Sequence, residues 1–355
     1  MDHRQAVLVL IIKGEHMDFA SKILPLKYRS VFSLEGFYVW GACVQKDRDG
    51  LYHMIFSKWP KEKGFKGWVT DSSFGYAVSN APDGPYRYMH DITLLGNRAE
   101  VLHNPTMIKH GGKYWLYFMQ NSGTPEGERK DALSTEWGDS HWQTHWWAHR
   151  NNQRIGAAWA LHPAGPWHSS DNPVINVTPG SYDGLMVSNP AVTAGGDGNI
   201  YMVYKSVAEG VPPVGGAVVC GAAWAQNPEG PFQKFNGSIM VNPENAWSVE
   251  DPFIWYEDDR FYALVKDFHG YFTKTGTVSI ALFESVDGVD WQPSKNPLAY
   301  TLDVVWEDGK TQHADLLDRP QLIFENGKPI ALLCAFSSDP ARSSTENIQF
   351  LLRNP

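Results

Sequence analysis

One phrase recurs along this chain, and a chain that repeats a phrase in register is restricted to folds assembled from repeated units. Three segments read Pro-x-Gly-Pro-aromatic: Pro82-Asp-Gly-Pro-Tyr86, Pro163-Ala-Gly-Pro-Trp167 and Pro228-Glu-Gly-Pro-Phe232. A fourth, Asp287-Gly-Val-Asp-Trp291, keeps the turn and the aromatic. The shared glycines are 81, 65 and 58 residues apart. Between them runs a second phrase. His103-Asn-Pro-Thr-Met-Ile leads through a Gly-rich turn to Tyr114-Trp-Leu-Tyr-Phe-Met. Ser188-Asn-Pro-Ala-Val-Thr leads to Ile200-Tyr-Met-Val-Tyr-Lys, and Glu250-Asp-Pro-Phe-Ile-Trp to Phe261-Tyr-Ala-Leu-Val-Lys. Asp318-Arg-Pro-Gln-Leu-Ile-Phe leads to Pro329-Ile-Ala-Leu-Leu-Cys, and a version without proline, Trp40-Gly-Ala-Cys-Val then Leu51-Tyr-His-Met-Ile-Phe, opens the series. Short β-branched and aromatic runs bounded by Gly, Asp and Asn turns read as hairpins.

A third strand follows in each unit, over 74–79, 155–160, 218–225, 278–285 and 348–352, and the Pro-x-Gly-Pro-aromatic turn starts a fourth. Four antiparallel strands in five units predict an all-β chain, a five-bladed β-propeller. Two β-sandwiches do not predict one phrase in register five times. The last unit ends after its third strand, so a segment near 18–27 is expected to supply the missing outer strand and close the ring, which removes an exposed edge. The expected organisation is one propeller domain over 18–355 after an N-terminal extension, 1–17.

Composition narrows the function. The 355 residues carry 30 Lys+Arg against 39 Asp+Glu, a net charge of −9, without a basic cluster, and so lack the footprint that nucleic-acid binding needs. No apolar run approaches the roughly 20 residues of a membrane span. Ala6 to Ile12 is a short apolar run with no small-x-small cleavage site after it, so it reads equally as a degenerate start and as an export signal, and localisation stays open. Cys43, Cys220 and Cys334 lie in separate strand-like runs and read as buried thiols. Fifteen Trp are far too many for a disordered chain. Trp115, Trp159, Trp167, Trp224, Trp255 and Trp291 occupy repeated positions and read as packing between blades.

Each repeated phrase begins where an innermost strand begins, and the five starts converge on a central funnel. The polar groups there are Trp40 with Glu35 nearby; Glu100, His103 and Asn104; Asp183, Ser188 and Asn189; Glu250 and Asp251; and Asp318 and Arg319. Several carboxylates facing one cavity suit glycoside hydrolysis, in which one protonates the leaving oxygen while another activates water or attacks C1. Crowding raises the pKa of one of them. An Asp before Pro is equally a turn cap.

The layout and phrases resemble the five-bladed propeller glycosidases, the superfamily of glycoside hydrolase families 43, 32 and 117, and in particular a bacterial family-43-like, sucrase-like branch. The likeness spans about residues 30–355 and rests on His103-Asn-Pro-Thr106, Gly165-Pro-Trp167, Asp183-Gly-Leu-Met-Val-Ser-Asn-Pro190, Glu250-Asp-Pro252 and Arg319-Pro-Gln-Leu322. It implies Glu250 as general acid. The family's other two carboxylates match Asn104 and Asn189 here, and an amide cannot act as base. Asp183 is the expected replacement as base or nucleophile, with Asp251, Glu100 or Asp318 as tuner or sugar ligand. Family 117 employs a His acid, which keeps His103, His269 and His313 as candidates. The resemblance requires no cofactor and allows Ca²⁺ or another divalent ion in the central channel, although no ligand set demands one.

Lys205, Lys266 and Asp267 end second strands, close enough to bond sugar hydroxyls or simply solvated. In His141-Trp-Gln-Thr-His-Trp-Trp-Ala-His149 the three histidines are four apart, which on a helix permits a metal; an aromatic loop walling a sugar subsite is the favoured reading, with Trp142, Trp146 and Trp147 as platforms. The expected activity is exo-acting cleavage of a terminal sugar from an oligosaccharide or polysaccharide. Two alternatives stand beside it: a glycoside phosphorylase, whose phosphate pocket has only Arg98 and Arg319 near blade starts, and a carbohydrate-binding propeller without catalysis. The oligomeric state is unknown.

Overall fold

A computed structural model describes residues 17–121 and 139–353, without the side chains of 139–144. All of the expected N-terminal extension except Met17 lies outside the described residues.

Five antiparallel sheets follow one another along the chain. Blade I comprises Phe37–Lys46, Tyr52–Pro60, Ser73–Ser79 and Arg87–Ile92, from the inside outwards. Blade II comprises Val101–His110, Lys113–Asn121, Arg154–Ala160 and Trp167–Ser169, with Leu94–Leu95 added in parallel at its outer edge. Blade III is built from Met186–Ala194, Ile200–Val207, Val218–Ala225 and Gln233–Lys234, and blade IV from Val249–Glu257, Arg260–Asp267, Ser279–Ser285 and Gln292–Tyr300. Blade V holds Leu316–Glu325, Lys328–Ser337 and Glu346–Leu351.

The ring closes a few residues later than 18–27. The outer strand of blade V is Val31–Phe32, paired with Ile348 and Asn347. Ala20–Lys22 instead forms a 3₁₀ turn, and Ile23 makes a single bridge to Leu352. Phe32 is the anchor: it is buried and packs edge-on against Phe56 of blade I, 4.8 Å between ring centroids.

Successive side chains of a strand point to opposite faces, so each blade feeds two seams. Met54 packs toward blade V while its neighbour Ile55 packs toward blade II. Five apolar clusters result, one per seam. Trp167 lies in the I–II seam, Trp115 in II–III, Trp291 in III–IV and Trp255 in IV–V. Trp159 borders the II–III seam, whereas Trp224 is only half-buried. All three cysteines are buried free thiols.

The innermost strands share one irregularity. Each pairing breaks register at the same point: Trp40/Cys43, His103/Thr106, Ser188/Ala191, Glu250/Phe253 and Asp318/Gln321. At each break one residue is left-handed: Gly41 (φ 49°), Asn104 (52°), Asn189 (49°), Asp251 (55°) and Arg319 (55°). Such bulges re-aim side chains. Consecutive residues that a regular strand would send to opposite faces here both reach the channel.

Candidate active site

The five bulge residues meet on the propeller axis as a closed ring. Asn104 Nδ2 donates to Asn189 Oδ1 (2.7 Å), and Asn189 Nδ2 donates to Asp251 Oδ1 (2.5 Å). The Arg319 guanidinium lies 3.5 Å from that same Asp251 oxygen, and its Nη2 donates to the Asn104 carbonyl (3.4 Å). Gly41 completes the circle. A Cβ there would stand 3.0 Å from Asn104 Oδ1 and 3.4 Å from Arg319 Nε, so glycine is required both by the positive φ and by the space. Arg319 is only 1% exposed. A guanidinium on the axis does not fit a channel Ca²⁺, which takes six to eight oxygen ligands.

Above the ring opens a cavity of about 210 Å³, lined by Trp40, His103, Asn104, Asn189, Lys205, Glu250, Asp251, Lys266, Leu316, Asp318 and Arg342. Trp59, Phe65 and Trp68 complete its wall. They come from the end of blade I's second strand and from the segment after it, two 3₁₀ turns and the short helix Trp68–Asp71. Trp68 stacks on His103 (4.9 Å between centroids), and Phe65 stands edge-on to Trp40 (5.7 Å). The sequence signal for this wall is the aromatic link between blade I's second and third strands, which carries Phe65 and Trp68.

Lysines and carboxylates alternate on the opposite side. Blade register places Lys205 opposite Ser188 and Lys266 opposite Glu250, both at the mouth. Lys205 Nζ donates to Glu250 Oε2 (2.5 Å); Lys266 Nζ lies 3.5 Å from Glu250 Oε1 and donates to Asp318 Oδ2 (2.8 Å). One ammonium therefore bridges two carboxylates. Burial alone pushes Glu250 up, but the two ammoniums outweigh it and hold the carboxyl down at about 2. Asp251 moves the other way: burial, reinforced by the Glu250 charge, lifts it to about 6 against the opposing pull of Arg319. Burial also raises Asp318. His103 is neutral, because burial and the nearby Arg319 push its pKa far down, and its Nδ1 is hydrogen-bonded to Ser72 Oγ at 2.8 Å.

The remaining expected residues lie elsewhere. Asp183 does not face the funnel. It is fully buried in blade III, where Lys234 Nζ (2.5 Å) and Tyr204 Oη (3.2 Å) donate to one carboxylate oxygen. Asp267 is equally buried and collects the backbone N–H groups of His269, Tyr271, Phe272 and Thr273, so it fixes a turn, and His269 belongs to that turn. Glu100 is outside the cavity, 3.9 Å from His149 Nε2. His313 is exposed and pairs with Asp303, Glu35 is exposed, and Arg98 pairs with Asp171. Arg319 is not a sugar ligand at the mouth but the buried cation of the ring beneath it.

The 141–149 segment is not a loop. Asp139–Asn151 is a helix. It braces the aromatic wall: Trp146 Nε1 donates to the Lys66 carbonyl (3.0 Å) and its ring meets Trp68 edge-on. His145 and His149 face each other with Nε2 atoms 3.0 Å apart, and burial followed by the His145 charge lowers His149 to about 4. The side chains of His141 and Trp142 lie outside the described residues.

No family model matches the chain, and no curated protein matches it. Solved structures do. Zg3597, a family 117 glycoside hydrolase of the marine bacterium Zobellia galactanivorans, is similar at 18% identity over 93% of this chain and 89% of that one, TM-score 0.58. The native arabinanase of Bacillus subtilis is similar at 14% identity over 89% and 94%, TM-score 0.54. A family 43 β-xylosidase/α-arabinofuranosidase from a compost metagenome, solved with xylotriose, is similar at 14% identity over 95% of both chains, TM-score 0.55. The fold is that of the five-bladed propeller glycoside hydrolases.

Proposed function

We propose that this chain is a glycoside hydrolase that draws the terminal ring of an oligosaccharide or polysaccharide into the funnel and cleaves it by carboxylate catalysis. The observation that carries this reading is the pair Glu250 and Asp251. These two neighbours line one cavity because of the bulge, and their surroundings drive their protonation apart. Two carboxyls with separated protonation states are what acid and nucleophile (or base) roles require. Glu250 acts as the anion, attacking C1 or taking a proton from the attacking water. Asp251 gives its proton to the leaving oxygen. Roles therefore differ from those the family likeness implies, since Glu250 between two ammoniums is a poor proton donor. Lys266 and Asp318 fix Glu250 and offer partners to sugar hydroxyls, along with Lys205, Asn104, Asn189 and His103.

Exo action is supported by size. A cavity of about 210 Å³ is smaller than the ~300–1,000 Å³ of sites for drug-sized ligands, and the aromatic wall offers faces for one ring. Hydrolysis is favoured over phosphorolysis because the cations lining the cavity already hold carboxylates: Lys205 and Lys266 as above, and Arg342 with Asp315 at 2.7 Å.

The test is a panel of oligosaccharides and aryl glycosides assayed for released monosaccharide, with and without phosphate. The expected result is phosphate-independent release that Glu250→Gln and Asp251→Asn each reduce by roughly 10²–10⁴-fold. Full turnover in both variants sinks the assignment. Release only with phosphate makes the chain a phosphorylase, and sugar-induced shifts in Trp fluorescence without any release make it a binding module.

A further inference from the structure

On the face away from the funnel, the turn after blade I's innermost strand lies against a turn of blade II. Asp47, His53 and His162 come together there, with one ligand atom of each within 4.8 Å of the others. We propose that these three residues are a binding site for a divalent transition metal of the zinc type, which clips blade I to blade II. The innermost strand runs from Trp40 at the funnel to Asp47, seven residues at about 3.3 Å each, so the site is roughly 20 Å from the cavity.

Asp47 and His53 are already aimed. Asp47 Oδ1 accepts the backbone N–H groups of Asp49 and Leu51, which fixes the rotamer and leaves Oδ2 toward His53 Nε2 at 2.8 Å. His53 is 1% exposed, and its other nitrogen is 2.6 Å from Tyr76 Oη. A ligating histidine held through its second nitrogen by an oxygen is the usual supporting arrangement of a metal site. In the metal-free neutral ring, Tyr76 O–H donates to Nδ1 and Nε2–H donates to Asp47. On binding, the ring changes tautomer, Nδ1–H donates to Tyr76 Oη, and Nε2 turns its lone pair to the metal with no net proton lost from the ring. His162 stands edge-on to His53, 5.0 Å between centroids, on the Pro-x-Gly-Pro turn of blade II. It is exposed, and its Nδ1 accepts the Ala164 N–H at 3.1 Å, a bond it gives up on coordination. Ligands of a tetrahedral zinc sit roughly 3.4 Å apart, so the mobile partner is His162, swinging inward over the seam. Two imidazoles and one carboxylate suit zinc and its neighbours and do not suit Ca²⁺ or Mg²⁺, which take oxygen.

The experiment titrates chelator-stripped full-length protein with Zn²⁺ alone, following heat of binding and melting temperature. The expected result is one tight equivalent that raises the melting temperature. His162→Ala, an exposed change that leaves the fold intact, should weaken binding by roughly 100-fold or more and abolish the thermal shift. Tyr76→Phe, which removes only the supporting oxygen, should weaken it by roughly 10–100-fold. Saccharide hydrolysis should be unchanged in both. Absence of saturable binding overturns the proposal. So does binding that survives His162→Ala and disappears in His145→Ala, since that places the zinc on the helix instead.

Discussion

Two arcs of one ring carry the same backbone and opposite chemistry. In blades IV and V the bulges present Glu250-Asp251 and Asp318-Arg319, and all four side chains are ionisable. In blades I and II the same bulges present Trp40-Gly41 and His103-Asn104, aromatic and neutral, and an aromatic segment is added above them. Blade III stands between the two arcs with Ser188-Asn189 and lends Lys205 across to Glu250. The repeated bulge decides where a side chain can reach the axis. Which residue stands there decides what the position does. The charged arc supplies proton chemistry, and the aromatic arc supplies a surface on which an apolar sugar face can rest.

The sharpest way to break the comparison is to remove the cation that the two arcs share. Arg319 belongs to the charged arc but reaches the Asn104 carbonyl in the neutral one. Arg319→Met leaves Asp251 buried without its counter-charge, and well above pH 6, where the carboxyl is otherwise ionised, the loss should approach about 3–5 kcal/mol. Chemical denaturation should show that loss. A near-neutral result would mean that Asp251 is protonated throughout and that the ring needs no cation.

The opposite arc offers the next largest effect. Gly41 has no side chain because Asn104 Oδ1 and Arg319 Nε fill the space where one would go. Gly41→Ala places an L-residue in the left-handed region, about 1–2 kcal/mol by itself, and adds the contact at 3.0 Å. Equilibrium unfolding should show a loss of at least that size, whereas an alanine at exposed Gly36, also left-handed but with open space around it, should show the backbone part alone.

The contrast between these arcs also explains what could be read from the chain. Five blades followed from five copies of one phrase, since strand and turn signals are local. The ring-closing strand carries no local signal, because Val31–Phe32 has no copy of the phrase and is anchored by Phe32 packing on Phe56 across the seam to blade I. Asn104 and Asn189 stood in the sequence as missing carboxylates, yet they are the hydrogen-bonded links that carry Asp251 and Arg319 around the axis. Asp183 was misplaced for a similar reason. Its offset before Asn189 says nothing of Lys234, which is 51 residues further on and takes its charge. Helicity of 139–151 was hidden by its aromatic and histidine content, and contact with the Trp68 wall favours it.

Within the charged arc, pH separates the two carboxyls. Glu250 is ionised above about 2, and Asp251 keeps its proton below about 6. Turnover that needs the Glu250 anion and the Asp251 acid is therefore highest between those values. It should fall about tenfold per pH unit once pH rises past 6, and kcat/KM against pH reports it for the free enzyme. A profile that instead climbs through pH 6 would mean that Asp251 works as an anion and that a group other than Glu250 gives the proton.

The smallest effect belongs to the aromatic arc, and it tests whether that arc binds without reacting. Trp68 is stacked on His103, braced from behind by Trp146, and lines the cavity. A ring that only supports a sugar face contributes equally to the ground state and the transition state, and its removal raises KM while sparing kcat. An aromatic pair is worth about 0.5–1.5 kcal/mol beyond its area, so Trp68→Ala should raise KM by about two- to tenfold. Steady-state kinetics on any cleaved saccharide gives the split. If kcat falls instead, the His103 ring that Trp68 holds in place takes part in the chemistry, and the division of labour between the two arcs fails.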